Sequence, residues 1–174
     1  MMENVNVLID EKRLQARVKE IADEIRKEYN GKTITLICIL KGSTFFTADL
    51  ARYLYDQDVR LEFIRVSSYN EGTVSSGEIK MKLDLKDSLQ GKDAIVVEDI
   101  IDTGRTLSYL IEYLRLKNPN SLKLCALLTK PSRRVCKVEA DYIGFEVPDK
   151  FVVGYGLDCN EQYRNLPYIG FLED

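Results

Sequence analysis

Apolar runs alternate along the chain with segments whose apolar residues recur every three or four positions. The runs are typical of strands buried on both faces of a parallel sheet, and they lie at residues 33–40, 94–97 and 122–129. The periodic segments predict helices with one apolar face, at residues 14–25, 45–54 and 107–114. The pattern therefore predicts an α/β fold, a mostly parallel twisted sheet flanked by helices.

Shorter strands are predicted near both ends of the chain and in a long hairpin. Val5, Val7 and Ile9 alternate with polar residues as an edge strand, after which Asp10 caps the first helix. The hairpin spans residues 59–85, and its polar, glycine-containing middle is either a mobile loop or an ordinary tip. Two more short strands are predicted at residues 142–147 and 151–155.

Size and composition indicate an ordinary globular protein. With 174 residues and 20.0 kDa, residues 1–174 fit one domain. The apolar runs are far shorter than a membrane span, and polar residues interrupt the N-terminus where a signal peptide would be apolar. A net charge of −3 and a pI near 5.2 argue against a broad nucleic-acid surface. We therefore expect a cytoplasmic protein that binds neither membrane nor nucleic acid.

Cysteine and histidine usage narrows the chemistry. The four cysteines show no metal or disulfide spacing, and Cys38 and Cys125 lie in apolar runs, which predicts buried thiols. The chain has no histidine. Proton transfer must therefore fall to carboxylates, lysine, tyrosine or water.

Three acids follow the apolar run at residues 94–97. Glu98 and Asp99 come directly after it and Asp102 lies in the next turn, so all three belong at the carboxyl end of a strand, where open α/β sheets bind ligands. Residues 102–106 combine hydroxyls, a glycine and a cation at a helix N-terminus, which describes a phosphate-binding loop. The alternative is a solvated loop in which Thr103 or Asp102 only caps the helix.

Other candidate residues have ordinary structural interpretations as well. Lys41, Gly42 and Ser43 follow the strand at 33–40, and they are either a second anion-binding turn or a routine turn with Ser43 as N-cap. Lys130 ends the strand at 122–129, where a lysine is usually solvated. Phe151 would ordinarily be a core residue.

Residues 96–106 closely resemble the phosphoribosyl-diphosphate motif of type I phosphoribosyltransferases. The form Glu98-Asp99-Ile100-Ile101-Asp102-Thr103-Gly104 is similar to the 6-oxopurine branch, the hypoxanthine-guanine phosphoribosyltransferases. The resemblance extends over about residues 5–170. It implies a core of about residues 30–155, a hood from residues 1–10 and 150–174, and a cis peptide at Leu40-Lys41.

The resemblance also implies roles for individual residues. The expected phosphoribosyl-diphosphate ligands are Lys41, Gly42, Glu98, Asp99, Asp102, Thr103, Gly104, Arg105, Thr106 and Arg164. The expected purine contacts are Lys130, Phe151, Val152 and Asp158. Ser68 and Tyr69 belong to a flexible lid, and Mg²⁺ is expected at Glu98, Asp99 and Asp158. Asp102 is the expected catalytic base. The ordinary alternatives for Asp158 and Arg164 are a turn aspartate and a surface arginine.

The implied activity is purine salvage, by transfer of the 5-phosphoribosyl group of 5-phospho-α-D-ribosyl diphosphate to hypoxanthine or guanine. A xanthine-preferring enzyme is the first alternative, and a non-enzymatic sensor of the donor that binds nucleic acid is the second. Lys130 and Phe151 argue against adenine and orotate as substrates. Kinship suggests a homodimer or homotetramer.

Overall fold

The chain was analysed as a computed structural model, which describes residues 5–68 and 79–172. The strands are β1 Val5–Ile9, β2 Ile34–Ile39, β3 Val59–Ser68, β4 Ile79–Leu83, β5 Asp93–Ile101, β6 Ser121–Thr129, β7 Tyr142–Glu146, β8 Val152–Val153 and β9 Ile169–Leu172. The helices are α1 Glu11–Glu28, α2 Thr44–Tyr53 and α3 Arg105–Arg115, and residues Pro131–Arg133 form one 3₁₀ turn.

Six strands form one sheet in the order β4-β3-β2-β5-β6-β7. Neighbouring strands from β3 to β7 are parallel, and only β4 at the edge is antiparallel, as the return strand of the hairpin with β3. The predicted fold class, a mostly parallel sheet flanked by helices, is confirmed. The hairpin tip, including Tyr69, lies outside the described residues.

The central strands are buried on both faces, as their unbroken apolar runs predict. Alternate residues of a strand point to opposite faces of the sheet. Leu36, Ile95 and Leu127 pack into a core with α1 and α2, whereas their neighbours Ile37, Val96 and Ala126 pack into a second core with α3. Cys38 and Cys125 are buried, as predicted, and burial raises the pKa of the Cys125 thiol.

A second, three-stranded antiparallel sheet has the order β1-β9-β8. Its last strand, β9, was not predicted, and β8 is shorter than the predicted segment 151–155. The strand stops there because Gly154 and Tyr155 have positive φ angles of 98° and 51°, which turn the chain out of the extended conformation. The division of a single domain into core and hood stays a prediction.

The order of the strands determines where the sheet can bind a ligand. From β2 the chain crosses outward to β3, whereas from β5 it crosses in the opposite direction to β6. The strands β2 and β5 are neighbours, so their carboxyl ends frame a topological switch point, where doubly wound sheets bind ligands. Within the described residues, no helix is long and apolar enough to cross a membrane.

Candidate active site

Two loops meet at the switch point, one after β2 and one after β5. The loop after β2 contains Lys41 and Gly42, and the predicted cis peptide at Leu40-Lys41 is confirmed. A Cβ atom on Gly42 would lie 1.6 Å from Asp99 Oδ2, and a Cβ on Gly156 would lie 2.0 Å from the Gly42 carbonyl oxygen. The loop is therefore packed between an acid of β5 and the segment after β8, and the contact leaves no room for a side chain at position 42.

Ser43 behaves differently from the ordinary interpretation of this turn. It is the N-cap of α2, but its hydroxyl makes no capping bond and instead donates to the Ile39 carbonyl at 2.6 Å. Its buried hydroxyl therefore ties the loop back to the end of β2, which fixes the position of Lys41 and Gly42 at the cleft.

Glu98 and Asp99 lie within the last four residues of β5, because the pairing of this strand with β6 continues to Ile101. The strand is thus longer than its apolar run. Asp99 N donates to Glu98 Oε1 at 2.9 Å, and Ile100 N donates to Asp99 Oδ1 at 2.6 Å. Burial, and then the neighbouring Asp99 carboxylate, raise the pKa of Glu98 well above its ordinary value, and burial also raises the pKa of Asp99. The pair is a concentrated acidic site that favours a hydroxyl donor or a cation.

The loop after β5 leads directly into α3. Its N-cap is Gly104, which has a φ of 82° and no side chain, so the alternative in which Thr103 or Asp102 occupies the cap position is wrong. Thr103 Oγ1 lies 3.5 Å from Arg105 N, at the outer limit of a hydrogen bond. A cavity of about 150 Å³ is lined by Glu98, Asp102, Thr103, Gly104, Arg105 and Thr106, among others. All five predicted residues of the anion-binding loop therefore surround one small cavity at a helix N-terminus.

Arg134, which sequence reasoning missed, supports this loop from behind. Its guanidinium donates to the Asp102 carbonyl at 3.1 Å, to the Ile101 carbonyl at 3.3 Å, to Thr129 Oγ1 at 2.7 Å, and to the Val138 carbonyl. Its Cδ also lies 3.3 Å from where a Cβ on Gly104 would be. The second of two adjacent arginines after a strand carries no sequence signal for this role.

Lys41 and Arg164 both form ion pairs with Glu161, an acid for which the sequence predicted no role. Lys41 Nζ lies 2.7 Å from Glu161 Oε2, and Arg164 Nη2 lies 3.2 Å from Glu161 Oε1 and 2.9 Å from Asp158 Oδ1. Arg164 also donates to the Gly156 carbonyl at 2.7 Å. Hydrogen bonds from Lys41 and then Arg164 lower the pKa of Glu161. Glu161 therefore forms ion pairs with the two cations that the family resemblance assigns to the diphosphate.

The other end of the cleft lies beyond β6. A cavity of about 430 Å³ is lined by Lys130, Arg133, Asp149, Lys150, Phe151, Phe171 and Leu172. Lys130 is only 6% exposed, so the solvated alternative for this lysine is wrong, and its Nζ lies 3.9 Å from Asp149 Oδ1. Phe151 is 56% exposed, so it is not a core residue. A buried cation and an exposed aromatic ring on one cavity suit a flat polar heterocycle.

The remaining predicted site residues that the structure describes line neither of these two cavities. Val152 is buried in β8 and pairs with Phe171 of β9. Ser68 is the last residue of β3, paired with Ile79, and its lid partner Tyr69 lies outside the described residues. Asp158 forms an ion pair with Arg164, and its carboxylate accepts a hydrogen bond from Glu161 N. Among the described residues no three His, Cys, Asp or Glu side chains form a group able to hold a metal ion alone.

A helix N-terminus beside paired acids at the switch point is the arrangement by which α/β proteins commonly bind phosphorylated sugars or nucleotides. The family model of the phosphoribosyl transferase domain matches residues 5–160. The chain belongs to the phosphoribosyltransferase family, as the resemblance of residues 96–106 predicted.

Curated relatives and a solved structure agree with this assignment. The chain is 50% identical to a hypoxanthine-guanine phosphoribosyltransferase of Bacillus subtilis, over 96% of this chain and 92% of that protein. It is also 50% identical to a bifunctional TilS/HprT protein of Listeria monocytogenes, of whose length the match covers only 26%. A crystal structure of a hypoxanthine-guanine phosphoribosyltransferase from Bacillus anthracis superposes with a TM-score of 0.91, at 46% identity, covering 97% of this chain and 98% of that one.

Proposed function

We propose that the protein is a purine salvage enzyme, which transfers the 5-phosphoribosyl group of 5-phospho-α-D-ribosyl 1-diphosphate to hypoxanthine or guanine. The products are IMP or GMP and diphosphate. One observation carries the proposal: the cavity at the loop from Asp102 to Thr106 adjoins the cavity with the buried Lys130, because Arg133, which lines the second, contacts Asp102, which lines the first. A phosphoribosyl group and a purine base would fit these two ends of the cleft in that order.

The donor would be bound through its three anionic or polar parts. The loop from Asp102 to Thr106 would hold the 5-phosphate with backbone N–H groups, the Thr103 and Thr106 hydroxyls and Arg105. Glu98 and Asp99 would accept bonds from the two ribose hydroxyls. Charge-assisted bonds of about 1.5–3 kcal/mol each make this an adequate source of affinity, since the helix dipole alone supplies only about 0.3–1 kcal/mol.

Lys41, the backbone of Gly42 and Arg164 would bind the diphosphate. The Lys41 ammonium and the Arg164 guanidinium both pair with Glu161 in this structure. A bound diphosphate would therefore replace the Glu161 carboxylate with an anion of higher charge. This exchange keeps both cations neutralised with and without substrate.

Mg²⁺ fits this site as a partner of the substrate. The described side chains form no complete metal site of their own, and Mg²⁺ normally combines one or two carboxylates with substrate phosphates and water. Asp158, Glu98 and Asp99 are the carboxylates that we propose for it. Bound with the donor, Mg²⁺ would supply positive charge against the departing diphosphate.

The purine would lie between Phe151 and the polar residues of the larger cavity. Lys130 would donate to the 6-oxo group, the Val152 backbone would contact the edge of the ring, and Asp158 is the fourth residue proposed to contact the purine. The purine nitrogen forms its bond to the ribose C1 atom as the bond from C1 to diphosphate breaks, and the electron pair leaves with diphosphate. Asp102 would take the proton released from the purine ring, because the chain has no histidine for this role. Ribosyl transfer of this kind develops positive charge on the sugar, which the adjacent acids would stabilise.

One assay tests this function directly. The protein is incubated with phosphoribosyl diphosphate, Mg²⁺ and, separately, hypoxanthine, guanine, xanthine or adenine, and nucleotide and diphosphate are measured. We expect IMP and GMP with hypoxanthine and guanine, and little AMP. Product only with xanthine would favour the xanthine-preferring alternative, and no product with any base would refute the function.

We also propose a homodimer or homotetramer and a cytoplasmic location, as the resemblance implies. The substrates are small molecules, so neither proposal requires a nucleic acid or a membrane. Light scattering of the purified protein measures the mass in solution, and a mass near 20.0 kDa would rule out an oligomer.

A further inference from the structure

Arg133 joins the two ends of the cleft, although the sequence assigned it no role. Its Nε lies 2.9 Å from Asp102 Oδ1, on the anion-binding loop. Its Nη1 donates to Asp149 Oδ1 at 3.3 Å, on the loop that precedes Phe151. The guanidinium thus stands beside the carboxylate to which the proposed function assigns the purine proton.

The backbone that carries Arg133 is fixed by several bonds. Arg133 N donates to the Lys130 carbonyl at 3.1 Å within the 3₁₀ turn, and Lys130 N donates to the Ile101 carbonyl at 3.0 Å. The next residue, Arg134, bonds to four acceptors around the same turn. The Arg133 side chain, 46% exposed, therefore extends from a rigid point over the larger cavity.

The two oxygens of Asp102 have different surroundings. Oδ1 is buried, and no donor within the described residues makes a hydrogen bond to it, because Arg133 Nε approaches off the required line. The side chain as a whole is nevertheless 43% exposed, so its accessible surface lies on its other atoms. This leaves Oδ2 as the oxygen that can face a ligand, while the contact between Arg133 and Oδ1 holds the other side of the carboxylate.

We propose that Arg133 is a positioning residue for Asp102: its guanidinium holds the carboxylate so that Oδ2 faces the purine and receives its proton. The inference rests on the proposed function and deepens it, because it concerns how the same site moves a proton. Asp149, shared by Arg133 and Lys130, links this pair to the lysine that would bind the 6-oxo group. Two arginines contact Asp102: Arg133 at the side-chain carboxylate and Arg134 at the backbone carbonyl. The other charged groups around it are Glu98 and Arg105, which line the smaller cavity with Asp102, and Lys130 and Asp149, which line the larger cavity with Arg133.

The test compares Arg133→Ala, Arg133→Gln and Arg133→Lys with the wild type, each also combined with Asp102→Asn. We expect Ala and Gln to lower kcat by about three- to tenfold, as for loss of a half-exposed charge contact, and Lys to restore most of it. The KM for phosphoribosyl diphosphate should change by no more than about twofold, since Arg133 would not touch the donor. In the Asp102→Asn background, removal of Arg133 should not lower kcat further, because Arg133 acts only through Asp102 and the effects of the two substitutions are then not additive.

The difference between the effects on kcat and on KM gives a second readout, which also serves if the Asp102→Asn variants are too slow to measure. Because the position of Asp102 matters only in the transfer step, kcat of Arg133→Ala should fall while its KM for phosphoribosyl diphosphate stays within about twofold of the wild-type value. Arg52, whose side chain is 84% exposed on α2, provides the matched control, and Arg52→Ala should leave both kcat and KM unchanged.

Three results would overturn the role of Arg133: an equal loss of kcat with and without the Asp102→Asn substitution, no rescue by lysine relative to glutamine, or a KM for the donor that rises as much as kcat falls. These are distinct from failure of the proposed function, in which the wild type itself forms no nucleotide with any base. That outcome removes the reaction in which Arg133 would act, and so overturns the inference too.

Discussion

Gly42→Ala places a side chain where the structure has space for none. The new Cβ would lie 1.6 Å from Asp99 Oδ2 and 2.6 Å from its Cγ. Nonbonded atoms need about 3.5 Å, so the carboxylate or the loop must move by about 2 Å. Rotation of the carboxylate is opposed because Ile100 N donates to Asp99 Oδ1 at 2.6 Å. Asp99 would then be displaced from the position proposed for the ribose.

Overpacking of this kind costs about 1–3 kcal/mol, and a chain of this size loses about 2–4 °C in Tm for each kcal/mol. We therefore expect Tm to fall by about 2–12 °C in scanning calorimetry. A displacement of about 1 Å in a positioned group can cost about 10²-fold in rate, so kcat/KM for the donor should fall by about that factor or more.

Two comparisons separate the clash from a general effect of alanine. Gly91→Ala, at a glycine with a φ of 70° and no atom within 4 Å of the new Cβ, should lose about 1–2 kcal/mol through backbone strain and keep full activity. In an Asp99→Ala background, which removes the clashing oxygen, Gly42→Ala should cost little stability. The reasoning would be refuted if Gly42→Ala were as stable and active as the wild type, or if its cost were the same in both backgrounds.

Three further predictions concern the purine end, the acidic pair and the diphosphate end. Lys130→Ala should lose the preference for hypoxanthine over adenine, a mismatch worth up to about 10⁴-fold, far more than it loses donor affinity; competition assays with both bases would show an equal loss if the role is wrong. Burial and Asp99 raise the pKa of Glu98 in the folded protein. The contribution of Glu98 to the stability of the fold is therefore most favourable below its ordinary pKa, and it is lost as the pH rises through the raised pKa. Glu98→Gln should therefore have a higher Tm than the wild type at pH 7 in metal-free buffer, with the gain vanishing near about pH 4, and a gain independent of pH would contradict this cause. Glu161→Gln removes the anion that occupies Lys41 and Arg164, so diphosphate should bind up to about fivefold more tightly by calorimetry, since exposed ion pairs are worth about 1 kcal/mol or less; weaker binding would show that Glu161 assists the substrate.

The elements that were predictable from the sequence have local causes. The run at residues 94–97 is apolar because both faces of β5 are buried, and Gly104 follows because the chain must turn left-handed into α3. These features are read from neighbouring residues, so the position of the loop between β5 and α3 was predicted correctly. The strand itself continues to Ile101, since pairing with β6 holds Glu98 and Asp99 extended despite their polarity, and no hydrophobic pattern reveals that pairing.

The missed residues acquire their roles from contacts between distant parts of the chain. Arg134 supports a loop about thirty residues earlier, and Glu161 pairs with Lys41, 120 positions away. An arginine or glutamate in a polar segment gives no sign of such a partner. Lys130 shows the same limit: it is only 6% exposed and lies 3.9 Å from Asp149, which follows β7, and no feature of the sequence near Lys130 indicates this contact.

The most direct test of the whole account is a crystal structure of the protein soaked with IMP or GMP. The account predicts the nucleotide phosphate in the loop from Asp102 to Thr106, the ribose hydroxyls at Glu98 and Asp99, and the base against Phe151 with its 6-oxo group at Lys130 Nζ. An empty loop with the nucleotide bound elsewhere would contradict every role proposed for this cleft.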